Sequence, residues 1–283
     1  MRYLSKCLSL AFCLMILPVL FACTSMPTST PSSPSDQPSG DLIGGAPADI
    51  QKKLERLPEL KPAAQCFTPG HYGAIDMAQP SDQAFLNLMR QHKVETIMRY
   101  YDWVAESIKG KTPKADELAR IFDNGFSFAA VFQHFNSSES TFRNKERPAI
   151  DAARIEELAK LWKQPKGSAV YVGYDGDFPF ALVKGYATEM ASRIRAMGFR
   201  VGMYGSGENC KQLTDAGLID RSRSSSKKPL CMIAASSYGW RGTTAILKSG
   251  EYALAQYVNK KCGGKSLDWS SVNVTEFGQW RPE

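Results

Sequence analysis

Histidine is scarce in this chain, with three among 283 residues, and no Cys-x-x-Cys pair occurs. A zinc centre built from clustered imidazoles and thiolates is therefore not expected, and no metal or other cofactor is predicted. There is no P-loop, and Gly202, Gly205 and Gly207 do not follow the order of the G-x-G-x-x-G dinucleotide fingerprint. Gly205-Ser206-Gly207 lacks the G-x-S-x-G frame, so Ser206 reads as a helix start rather than a nucleophile. His134 has no cysteine partner in view and reads as a rim or buried histidine. The apolar run over residues 8–20 is too short to cross a bilayer.

That run does fit an export signal. Arg2 and Lys6 precede it, and Phe21-Ala22-Cys23 follows, the order of a secretory segment. Leu20-Phe21-Ala22-Cys23 resembles a bacterial lipobox, in which Cys23 is lipidated and becomes the new N-terminus. Bulky Phe21 is unusual at its position, and plain secretion with cleavage nearby is the alternative. Thr24 after Cys23 resembles the pattern sent on to the outer membrane, if the source is Gram-negative. Residues 24–40 are almost wholly Ser, Thr and Pro. Such a segment buries too little surface to offset its ordering entropy, which predicts an extended tether. The expected organisation is a signal peptide over 1–22, a lipidated N-terminus and tether over 23–65, and one folded domain over 66–283. The expected location is the cell envelope, with the membrane reached through the lipid anchor.

The net charge of +7 falls to +5 without residues 1–22, which carry Arg2 and Lys6 and no acid. A modest positive balance in the envelope favours an anionic wall polymer over nucleic acid, which an exported chain does not meet. The basic cluster over 221–228 reads as a solvated loop. Beyond Cys23 lie Cys66, Cys210, Cys231 and Cys262, an even number that permits two disulfides in any of three connectivities.

Short apolar runs alternate with amphipathic stretches. Strands are predicted over 72–77, 94–101, 126–133, 168–174, 199–204, 230–235, 252–258 and 272–277. Helices are predicted after Ser81 as cap, over 114–124, from Pro148 to Trp162, over 179–197, and ending at Gly217. Strand–helix alternation implies a parallel sheet covered by helices, and eight strands favour a closed TIM-like (β/α) barrel over an open sheet. The last three strands have little helical signal between them, so the barrel is expected to be irregular there.

Barrel chemistry gathers at the C-terminal strand ends. Those ends carry Asp76, Arg99-Tyr100-Tyr101-Asp102, Gln133-His134, Asp175 and Asp177, Tyr204, Tyr238 with Trp240, Gln256-Tyr257, and Asp268 before the last strand. Acids, amides and aromatics on one rim describe a carbohydrate site. Asp175 and Asp177, two apart after an apolar run, are expected side by side on one face, as i and i+2 are along a strand. The competing reading makes Asp177 a turn residue or the cap of the helix near Pro179.

Gly73-Ala-Ile-Asp76, Arg99-Tyr100, Val170-Tyr-Val-Gly-Tyr-Asp-Gly-Asp177, Val201-Gly-Met-Tyr-Gly-Ser206 and Leu254-Ala-Gln-Tyr257 followed by Asp268 resemble a known family. It is the glycoside-hydrolase-like domain-of-unknown-function family 1906, related to the family 25 lysozymes, and the resemblance runs from about Cys66 to Trp280. It implies a lysozyme-type barrel. The lysozymes carry D-x-E on the fourth strand, and Asp177 stands here in place of the glutamate, one methylene shorter. Asp76 and Asp268 resemble the acids of the first and last strands. The expectation is a glycoside hydrolase acting on an envelope glycan, peptidoglycan foremost. Asp177 would be its general acid, Asp175 its ionised partner and Asp76 a tuning acid, with Arg99, Tyr100, Tyr204, Trp240, Gln256 and Asp268 holding sugars. The alternatives are a non-catalytic glycan-binding lipoprotein with the same cleft and a barrel that serves only as an interaction scaffold.

Overall fold

The computed structural model describes residue 66 and residues 73–102 and 111–282. The signal segment 1–22 and the whole of the tether 23–65, Cys23 included, lie outside the described residues. Eight strands close a barrel in sequence order: β1 Ala74–Asp76, β2 Thr96–Tyr101, β3 Ser127–Phe132, β4 Ala169–Gly173, β5 Arg200–Gly205, β6 Cys231–Ala234, β7 Leu254–Cys262 and β8 Lys265–Val272. The helices are α1 Gln83–Gln91, α2 Ala115–Asp123, α3 Glu139–Arg143, α4 Arg147–Leu161, α5 Phe180–Ala196, α6 Gly207–Asp215 and α7 Thr243–Ser249. The TIM-like reading holds, and its irregularity falls where expected, with one short helix between β6 and β7 and none between β7 and β8.

β3, β4 and β6 are buried along their whole length, as strands must be with side chains inside the barrel and helices outside. Polar ends fix the helices. Asp82, rather than the expected Ser81, caps α1 by accepting the Phe85 N–H at 2.9 Å. Ser81 turns inward instead, and its N–H and hydroxyl donate to Glu117 at 2.8 and 2.9 Å. Ser206 caps α6 through the Asn209 N–H, the helix-start role read from the sequence.

The last strand departs from expectation. It is Lys265–Val272, not 272–277, and it runs antiparallel to both β7 and β1. Gly263 and Gly264, at φ 56° and 77°, join it to β7. Two adjacent left-handed residues make the tight hairpin turn that reverses a strand without a crossover helix. Residues 273–280 then pass under the N-terminal end of the barrel. There Trp280 bridges Phe128, and the Phe277 carbonyl accepts from the Tyr171 hydroxyl at 2.7 Å.

Of the three connectivities, the disulfides are Cys66–Cys262 and Cys210–Cys231. The first pins the β7–β8 tip to a residue 196 positions earlier, and the second ties α6 to β6.

Candidate functional site at the C-terminal strand ends

The strand ends enclose an open cavity of about 280 Å³. Asp76, Tyr100, Gln133, Asp175, Tyr204, Gln256 and Asp268 line it, together with Lys111. The structure thus brings together Asp76, Asp175, Asp268, Tyr100, Tyr204 and Gln256, the six residues of the cavity that the sequence reading gave a role.

Asp76 is the centre of the arrangement. It ends β1, is 1% exposed, and lies directly across from Asp268 in the β1–β8 register. Its carboxyl accepts from the Tyr100 hydroxyl at 2.6 Å and from Gln256 Nε2 at 2.8 Å. Burial first, and the Asp268 charge second, push Asp76 from 3.8 up to about 7, against the pull of the two hydrogen bonds. Two carboxyls facing each other at a buried position do not readily both ionise, so Asp76 keeps its proton to a higher pH than an ordinary carboxyl does.

Asp175 accepts from Gln133 Nε2 at 2.8 Å. Burial raises its carboxyl, while Lys111 and the Gln133 bond pull it down. Tyr204 is raised well above the usual phenol by burial and by the charges of Asp175, Asp76 and Asp268, so it stays a hydroxyl.

Gln133, read from the sequence as a strand-end residue without an assigned role, belongs to the cavity, and so does Lys111, which the sequence reading missed. Gln133 follows β3 at the strand-end position that the barrel rule flags. Lys111 carries no sequence signal, because it reaches the cavity from the connection after β2. Its Nζ lies 3.0 Å from Asp102 Oδ2, donates to the Gln133 carbonyl at 3.0 Å and sits 4.7 Å from the Tyr100 ring centre. Behind it His134 Nδ1 contacts Asp102 Oδ1 at 2.5 Å, which makes His134 the buried histidine of the two readings.

Three expected site residues stand elsewhere. Arg99 is fully buried and paired with Glu117 of α2. Alternation along β2 is the reason: Tyr100 faces the barrel, so Arg99 faces the helix layer. Asp177 does not share a face with Asp175. β4 ends at Gly173, the chain turns with Gly176 N–H bonded to the Tyr174 carbonyl, and the two-residue strand period no longer applies. Asp175 enters the cavity, whereas Asp177 is held by Arg241. Nor does Asp177 cap α5, whose N-cap is Pro179 without a side-chain bond. Trp240 lies in the β6–α7 loop, half-buried and outside the cavity lining.

Among the described residues, one cluster has metal-ligating side chains close together: Cys66, His92 and Cys262. Its two sulfurs are bonded to each other, which leaves no thiolate for an ion.

A closed barrel with acids, amides and phenols gathered at its C-terminal strand ends is the frame of a glycoside hydrolase-like domain. The chain belongs to the Rv2525c-like, glycoside hydrolase-like domain family, whose profile matches residues 87–277. Among solved structures, the Mycobacterium tuberculosis Tat-secreted protein Rv2525c in complex with HEPES is 17% identical with a TM-score of 0.56. That match covers 74% of this chain and 98% of Rv2525c. Its complex with L-tartrate gives the same identity and TM-score, over 75% and 100%. A B. stearothermophilus protein is 15% identical with a TM-score of 0.50, over 70% and 94%. These likenesses establish the fold. No curated protein sequence matches the chain.

Proposed function

We propose that this protein is an exported, lipid-anchored glycoside hydrolase that cleaves a cell-envelope glycan, with peptidoglycan as its substrate. The observation that carries the reading is the Asp76–Asp268 pair: a buried carboxyl poised near neutral, in a cavity open to solvent, with Asp175 in the same lining. Asp76 donates its proton to the glycosidic oxygen as the C–O bond breaks. Asp175, ionised beside Lys111, faces the positive charge that develops at the anomeric carbon, or orients an N-acetyl oxygen to attack it. Water then completes hydrolysis and Asp76 recovers its proton. Tyr100, Tyr204 and Gln256 hold hydroxyls in the recess. Two disulfides support export, Rv2525c is itself a Tat-secreted protein, and Cys23 with its tether is the anchor this reading requires.

The second reading is a glycan-binding lipoprotein without turnover. It is favoured by Arg241's hold on Asp177, which stands where the lysozymes carry their acid. Muropeptide release from purified sacculi separates the two. The hydrolase reading expects soluble product from wild type and a drop of about a hundredfold or more in Asp76→Asn and Asp175→Asn. Wild type that sediments with sacculi yet releases nothing supports the binding reading. Neither retention nor product overturns both.

A further inference from the structure

The cavity is a recess for about one sugar, yet two large rings stand outside it with most of their surface in water. Phe135 and Tyr238 are 53% and 65% exposed, the two aromatics more than half exposed among the described residues. Both come from loops that leave C-terminal strand ends, Phe135 just past β3 and Tyr238 just past β6. Those strands lie three apart in an eight-strand ring, so the loops rise from different sides of the mouth. Gln133 and Met232, from the same two sides, line the cavity between them.

Phe135 is held in place at a conformational cost. Its φ is 54°, the left-handed region that asparagine and glycine enter more readily than phenylalanine. Hydrogen bonds fix that conformation on both sides. The Phe135 carbonyl accepts from Thr141 Oγ1 at 2.7 Å and from the Ser138 N–H at 3.1 Å. Asn136 accepts the His134 N–H at 2.5 Å, donates to the Gly173 carbonyl at 2.9 Å, and its own carbonyl takes the Asp175 N–H at 3.0 Å. One segment thus carries the ring and positions Asp175. His134 and Arg147 support the ring at 4.4 and 6.0 Å, and the remainder stays open. Core packing gives no reason for an exposed phenylalanine in this conformation. Across the mouth, the loop that carries Tyr238 is tied to the β4–α5 loop by Arg241 and Asp177.

We propose that Phe135 and Tyr238 are sugar-stacking platforms on either side of the cavity, so that the ligand is the interior of a polysaccharide strand several sugars long. The inference rests on the reading that the cavity takes a sugar. The C–H face of a pyranose covers an exposed ring and removes its apolar surface from water. A short fragment that fills the recess reaches neither platform, whereas a longer strand reaches both.

Calorimetric titration of the full-length chain with a dimer and a hexamer of N-acetylglucosamine tests this. Wild type binds the hexamer at least about tenfold more tightly than the dimer, and Phe135→Asn and Tyr238→Ala each lower hexamer affinity by roughly tenfold without changing the dimer. The melting temperature of Phe135→Asn stays level or rises, since asparagine suits the backbone better, and this separates a binding role from a structural one. Equal affinity for both lengths in wild type, or undiminished hexamer binding in both variants, overturns the platforms and leaves the cavity reading standing. Wild type that binds neither length overturns the platforms together with that reading.

Discussion

Arg241 holds Asp177 by four hydrogen bonds. Its backbone N–H donates to Oδ1 at 2.9 Å, Nε donates to both carboxylate oxygens at 3.2 Å, and Nη2 donates to the Asp177 carbonyl at 2.6 Å. The contact joins the β4–α5 loop to the β6–α7 loop. Asp177, the residue that the resemblance sets at the lysozyme acid's position, thus ties two loops together.

Asp177→Asn is therefore expected to leave muropeptide release within about threefold of wild type. The pair is partly exposed, at 42% and 35%, so its contribution is about 0.5–1 kcal/mol, read as the coupling in a double-mutant cycle with Arg241→Ala. Loss of product as complete as in Asp76→Asn would return the acid role to Asp177.

Asp76 makes the stability depend on pH. Its carboxyl titrates near 7 in the fold and near 3.8 in the unfolded chain, so the fold binds the extra proton between those values. This contribution is fully present below about pH 3.8, shrinks as the pH rises, and is gone above about pH 7, a span of about 4 kcal/mol. In Asp76→Asn, calorimetry between about pH 5 and pH 8 should give a flatter melting profile and a higher midpoint at the alkaline end than wild type. Parallel profiles for the two proteins would mean that another group carries the titration. On the hydrolase reading, product release by wild type should decline above about pH 7, where Asp76 would lack the proton to donate.

Arg99 supports the barrel wall from its outer side. Arg99→Ala leaves the buried Glu117 carboxylate without its guanidinium, at a cost of about 3 kcal/mol or more. The melting temperature should fall by roughly 6–12 °C, while the folded protein binds glycan as wild type does. An unchanged melting temperature with weakened binding would place Arg99 at the sugar after all.

The Cys210–Cys231 bridge closes a separation of 21 residues. Cys210→Ala with Cys231→Ala should cost about 3 kcal/mol and lower the melting temperature by roughly 6–12 °C. Alkylation of the unreduced protein should leave Cys66, Cys210, Cys231 and Cys262 unmodified, and label at any of them would contradict the pairing.

Patterns that repeat along the chain were legible in the sequence. Seven of the eight strands fall where apolar runs place them, because strands buried on both faces read as continuous apolar segments. What escaped depended on partners distant in sequence or on where a strand ends. Asp177 meets Arg241 64 positions later, and no local pattern announces that pair. Arg99 and Tyr100 are neighbours, and only the facing of β2 decides which reaches the cavity. Gly263-Gly264 was the available sign of the hairpin, and without it β8 is set too late and in the wrong direction. The acids at Asp76, Asp175 and Asp268 were found, but the dominant pair is fixed by sheet register rather than by adjacency in the chain.

That register carries one more consequence. Asp268 reaches Asp76 only because β8 returns antiparallel from the glycine turn and seals the barrel against β1. The elevated titration of Asp76 is thus a built-in gauge of seam integrity. Separating β8 from β1 would remove the opposing charge and the burial together, the two causes that hold Asp76 above an ordinary carboxyl, and its titration would fall back toward 3.8.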